Sequence, residues 1–144
     1  MPTKPCTPET FEAICVAISE SSFGTRYLCK QHNVTRQSFF DMINESKQTK
    51  DRYAHAKTSQ AHYLAEEIIE ISDDGTNDWM TVMRGDESVE VENKESINRS
   101  RLRVDTRKWI AARLAPESFG DKIETTLKGD KESPLHVITG MVVK

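Results

Sequence analysis

Over most of the chain before Gly120 the apolar positions recur three and four apart, the helical period; short alternating runs such as Ser88-Val-Glu-Val-Glu92 interrupt it, and beyond Gly120 the spacing falls to two. Thr7-Pro8-Glu9 opens the first helical stretch with a capping hydroxyl, a proline where no N–H is needed, and an acid in the first turn. Phe11, Ile14, Cys15 and Ile18 then line one face, and Ser21-Ser22-Phe23-Gly24 breaks the helix. Residues 1–6 read as a flexible tail. A longer helix without Gly or Pro is expected from Lys47 to Ser72, with Ala54, Ala61, Leu64, Ile68 and Ile71 as a seam for a partner helix. Asp73-Asp74-Gly75 ends it. Residues 75–93 read as a loop with a weak hairpin around Arg84-Gly85-Asp86. A second long helix runs from Lys94 to Ala115 and stops before Pro116. Ile97, Val104 and Ala111 repeat every seven residues along it, with Leu102 and Trp109 beside them. Two long helices joined by a loop predict an antiparallel hairpin. Lys122–Leu127 and Leu135–Val143 are strand-like, and two strands alone are marginal in water, so they need strands of other chains or another surface.

The segment Thr25–Asn44 carries a second kind of pattern. Leu28 and Cys29 are inward positions of a short helix. Asn33 stands where the chain must turn with φ > 0, and Val34 follows as an apolar plug. Thr35 can cap the next helix, whose buried face is Phe39, Met42 and Ile43. Helix, turn and capped helix together read as a helix-turn-helix. Arg36, Gln37 and Ser38 are left at the exposed start of the second helix, the part that meets base edges in a major groove. Arg26, Lys30, Arg36, Lys47 and Lys50 are candidate phosphate contacts, with Gln37 and Ser38 nearer to base edges and Thr35 at the same helix start; a solvated surface is the plain alternative for any one lysine.

Charge sharpens this picture. Residues 1–60 carry a net +2 and residues 61–144 a net -5, giving -3 over the 144-residue chain. The positive excess lies with the helix-turn-helix, where phosphate contacts need it. Apolar content of 36% beside 30% charged residues is polar for one compact globule and suits a chain that buries surface against copies of itself. Arg99, Arg101, Arg103, Arg107, Lys108 and Arg113 form a basic cluster on the second long helix. It reads as a DNA-tracking stripe or as an ion-pairing partner for Glu66, Glu67, Glu70, Asp73 and Asp74. The second is preferred, because those acids lie on the proposed partner helix.

Several chemistries are not expected. No phosphate-cradling glycine loop with Lys-Ser/Thr occurs, which argues against an ATPase. His55 and His62 lie seven apart and read as polar surface, not as metal ligands. A nuclease built on the 66–74 carboxylates is a remote third reading. Three cysteines, Cys6, Cys15 and Cys29, without a Cys-x-x-Cys pair read as reduced thiols of a cytosolic protein. No apolar run approaches the ~20 residues of a membrane helix, so no membrane partner is expected. No cofactor or metal is expected either.

The run Ser100-Arg-Leu-Arg-Val-Asp-Thr-Arg-Lys-Trp-Ile-Ala-Ala-Arg-Leu-Ala-Pro-Glu-Ser-Phe-Gly-Asp-Lys122 resembles the signature of bacteriophage small terminase subunits. Asp51-Arg-Tyr-Ala-His-Ala-Lys57 and Glu66-Glu-Ile-Ile-Glu-Ile-Ser-Asp73 resemble the same family. The resemblance implies a mainly α fold in three parts: a helix-turn-helix DNA-binding domain over 1–50, a helical-hairpin oligomerisation domain over 51–120, and C-terminal strands over 121–144 that join an intersubunit β-barrel and contact the large terminase subunit. It implies rings of roughly eight to ten copies around a channel. It implies a non-catalytic subunit that recognises double-stranded viral DNA in the host cytoplasm and regulates the ATPase and nuclease of the large subunit. The oligomer interface is expected at Leu64, Ile68, Ile71, Arg101, Arg103, Val104, Arg107 and Trp109. The alternative is a dimeric helix-turn-helix transcription regulator, which would read half-sites about one DNA turn apart.

Overall fold

The computed structural model describes residues 4–121. Six helices and one two-stranded sheet follow each other in the order α1 (Pro8–Ser19), α2 (Thr25–Gln31), α3 (Arg36–Glu45), α4 (Lys47–Asp73), β1 (Trp79–Arg84), β2 (Glu87–Glu92), α5 (Lys94–Leu114) and α6 (Pro116–Phe119). The strands expected at 122–127 and 135–143 lie outside the described residues.

Local chemistry sets most of these boundaries. The Thr7 hydroxyl accepts the Thr10 N–H at 3.2 Å, with Pro8 at the first helical position. Thr35 caps α3 in the same way, accepting the Ser38 N–H at 3.1 Å. Ser46 and Thr49 form a reciprocal box at the start of α4. Asn33 has φ +57°, the left-handed turn between α2 and α3 that its short polar side chain tolerates. The β1–β2 loop is Gly85-Asp86, and only Gly85 takes positive φ (+65°), the pattern of a II′ turn. The hairpin is therefore longer and more regular than the sequence pattern indicated, with six cross-strand pairs from Trp79↔Glu92 to Arg84↔Glu87.

The N-terminal core contains Phe11, Ile14, Ile18, Leu28, Phe39 and Ile43, all buried. Ala56 of α4 completes it, with Tyr53 packed alongside. Three short helices are too small for a stable core, and the first half of the long helix supplies the fourth wall. Two readings are corrected here. Ala54, expected on the partner seam, is exposed, because the face turned to the bundle holds Tyr53, Ala56 and Gln60 instead. The tail 1–6 is not free over its last part. The Lys4 N–H donates to the Asn33 carbonyl at 2.8 Å, the Cys6 N–H donates to Ser38 Oγ at 2.7 Å, and Cys6 is buried. The apolar thiol drives that short segment against the turn. All three cysteines are buried free thiols, and burial pushes Cys15 up to about 11, which leaves it unreactive at neutral pH.

Further along, α4 turns a different face to α5. Ala61 meets Ala111 and Ala115, with Leu114 and Phe119 packed around them. Small side chains there let the two helix backbones approach closely. Leu64 and Ile71 are buried within the single chain as well. The helix stops at Leu114 as expected before Pro116, but a short turn, α6, follows, and its Phe119 ring lies 5.0 Å from that of His62. Any side chain at Gly120 would place Cβ 2.5 Å from the Pro116 carbonyl oxygen, so that turn requires glycine.

Candidate nucleic-acid interface

The start of α3 projects from the bundle, because Phe39 and Ile43 hold the opposite face of the helix in the core. Arg36 and Gln37 are exposed there, as are Arg26 and Lys30 on α2 and Lys47 and Lys50 at the start of α4. The helix N-terminus adds its own partial positive charge to this surface. Two flanking groups shape it. The Arg36 guanidinium lies 5.0 Å over the Phe40 ring, which restrains a long side chain at the surface. The Gln37 amide donates to Asp41 Oδ1 at 2.8 Å, one helical turn along.

The remaining two candidates are differently placed. Thr35 is exposed, but its hydroxyl oxygen is occupied as the α3 cap. Ser38 is half-buried and its Oγ accepts the Cys6 N–H, so it braces the N-terminal segment. Sequence spacing missed the roles of Phe40 and Asp41. A phenylalanine next to a core phenylalanine reads as more core, and an i, i+4 Gln–Asp pair is visible in sequence only if one asks what the glutamine does when nothing is bound.

Behind this surface the bundle is braced by a fork. Arg52 of α4 donates through Nε and an Nη to both carboxylate oxygens of Glu12 on α1. Hydrogen bonding to Arg52 holds the Glu12 carboxyl below the usual carboxylate range. Both side chains are partly exposed, so the pair orients the helices more than it stabilises them.

On the helical hairpin the basic cluster divides. Arg107 Nε donates to Glu67 Oε2 at 2.7 Å, a half-buried pair across α4 and α5. Arg99 pairs with Glu95 on its own helix. Arg113 stacks on the Trp109 ring at 3.7 Å. Arg101 and Arg103 are exposed. Among the described residues Glu66, Glu70 and Asp73 make no ion pair, so the expected pairing of the two charged stretches occurs at one point. Of the expected interface residues, Leu64 and Ile71 are buried inside this chain, Val104 and Ile68 are half-buried, and Trp109 is 59% exposed. Among the described residues no three His, Cys, Asp or Glu side chains converge to hold a metal, and no helix is long and apolar enough to cross a membrane.

Residues 6–126 match the family described as bacteriophage Sf6, terminase small subunit-like. The chain belongs to this family. Three crystal structures of the terminase small subunit gp1 of the bacterial virus Sf6 are similar to it over nearly their whole length. They are single-substitution variants, in which an arginine becomes alanine, an aspartate becomes arginine, or a lysine becomes glutamate. Each is 26% identical, with a TM-score of 0.61, over 96% of this chain and 95% of the other. No curated protein matches by sequence. Membership of the terminase small subunit family assigns the chain a role in bacteriophage DNA packaging.

Proposed function

We propose that this small terminase subunit is the DNA reader of the packaging machinery, with α2, the Asn33 turn and α3 acting as a helix-turn-helix. Arg26, Lys30, Arg36, Lys47 and Lys50 contact phosphates, and Gln37 reaches base edges once it leaves Asp41. Ser38 and Thr35 hold the segment in position from the same helix start. The chain does no chemistry itself. It assembles through the 51–120 helical hairpin into a ring of roughly eight to ten copies, and residues 121–144 engage the large subunit. The observation that carries this reading is the projecting start of α3, polar and basic, fixed to a small apolar bundle by its own inner face. One such reader binds weakly and with strong salt dependence, and many on one ring multiply the affinity through effective concentration.

Native mass measurement tests the assembly: a single species of many copies is expected, and a dimer would overturn the ring. Duplex binding by the Arg36→Ala variant tests the reader. Losing one phosphate contact per copy is expected to weaken binding by about tenfold or more and to lower the salt slope by about one per engaged copy. The mass of the assembly stays unchanged. A variant that binds duplex DNA like the parent overturns the assignment of α3.

A further inference from the structure

The β1–β2 hairpin packs along no helix of its own chain among the described residues. A lone two-stranded hairpin is marginal in water, so something must cover it. Its register puts Met80, Val82, Val89 and Val91 on one face, since Met80 opposes Val91 and Val82 opposes Val89. On that apolar face Val82, Val89 and Val91 are half-buried by cross-strand contacts and Met80 is exposed. At the ends of the same face stand Asp78 and Glu87 beside a single arginine, Arg84, whereas Glu90 and Glu92 alternate onto the opposite face with Thr81 and Trp79.

The complementary surface lies on the flank of the helical hairpin. An open groove of about 480 Å³ runs between α4 and α5, floored by Ala65, Ile68 and Ala112, closed at one end by Phe119 and Asp121, and edged by Lys108 and Arg113. Small alanines make the groove and the half-exposed tryptophan walls it. The α5 helix carries seven basic residues against Glu95 and Asp105 alone. Apolar strand face fits apolar groove, and Asp78 and Glu87 at the ends of the first fit Lys108 and Arg113 at the margin of the second.

We propose that the β1–β2 hairpin of one copy lies in the α4–α5 groove of the next. This rests on the ring reading above and supplies a contact for it. The interface is heterologous, one patch against a different patch, which is the kind of contact that propagates around a ring and does not stop at a two-fold dimer. It also accounts for two features at once, an apolar face without a cover and a tryptophan left 59% exposed.

Cross-linking with a short bis-maleimide tests the contact in the full chain. The native thiols are buried, so introduced cysteines react selectively. Val89→Cys and Ala112→Cys in the same chain are expected to give a ladder of covalent multimers. A mixture of the two single variants is expected to give cross-linked pairs, and either single variant alone to give none. Assembly by the double charge reversal Lys108→Glu/Arg113→Glu is expected to need about tenfold more protein, with recovery when Asp78→Lys/Glu87→Lys is added. Rings without intermolecular cross-links, or cross-links confined within one chain, overturn the contact while leaving the ring reading intact. An unmodified chain that forms no ring overturns the ring reading itself. Charge-reversed rings that assemble normally but fail to stimulate the large subunit would assign the groove to that partner and overturn the contact between copies.

Discussion

Phe39→Ala is expected to unfold the N-terminal bundle at a much lower temperature, at a cost of about 3–5 kcal/mol. Phe39 is fully buried, and its ring meets those of Phe11 at 5.5 Å, Tyr53 at 5.9 Å and Phe40 at 6.0 Å. Truncation removes the apolar transfer, opens a cavity that three helices cannot all close, and loses the aromatic contacts together. A bundle of this size has a total stability of only about 3–8 kcal/mol, so the loss is comparable to the whole. Thermal melting followed by circular dichroism should show an early transition that takes α1 to α3 and frays the first half of α4. Phe39→Leu keeps most of the volume and is expected to cost about 1 kcal/mol. Duplex binding should fall with the bundle, since α3 has no other anchor. A single unchanged melting transition for Phe39→Ala would show that the bundle core is not centred on this ring.

How much of this was legible beforehand depends on how far apart in sequence the deciding partners lie. The caps Thr7, Thr35 and Ser46 act on residues three positions on. Asn33 turns the backbone by its own conformation. Such features were visible in the chain, and so were the long helices, within a residue or two at their ends. The errors came from distant partners. Ala54 and Ala56 are indistinguishable in composition, and only the position of the bundle decides that Ala56 is buried while Ala54 faces water. Cys6 lies in a segment with no periodic pattern, and the partner that fixes it, Ser38, is 32 residues away. The hairpin is hard to see in the sequence because Trp79–Arg84 does not alternate cleanly, although Ser88–Glu92 does, and neither strand packs on a helix of its own chain. At the candidate interface, exposure of Arg36 and Gln37 followed from helical spacing. Their restraint by Phe40 and Asp41 depends on side-chain directions that spacing does not give.

The least legible residue is Gln60, and its replacement by leucine is expected to cost about 2–4 kcal/mol. A glutamine in the middle of a polar helix reads as surface, yet it is 3% exposed. Its side-chain amide donates to the carbonyls of Ser21 at 2.9 Å and Phe23 at 3.0 Å, closing the loop between α1 and α2 onto α4. Its Oε1 accepts from Lys57 Nζ at 2.8 Å, a half-buried amine whose pKa burial pushes down. Leucine fills similar space, so packing is nearly conserved and the loss isolates the hydrogen bonds. Two carbonyls and an amine lose the buried partner they share. The position also joins the two halves of the molecule: Ala56 belongs to the bundle core, and Ala61 begins the packing against α5. Hydrogen exchange is therefore expected to quicken in the α1–α2 loop and the middle of α4, while the α4–α5 contact around Ala111 stays protected. The reader would then be carried on a looser arm, and duplex binding should weaken with little change in assembly mass. Unaltered exchange in the loop of Gln60→Leu, at parent stability, would show that the loop is held by the Phe23–Tyr27 ring contact and not by this amide.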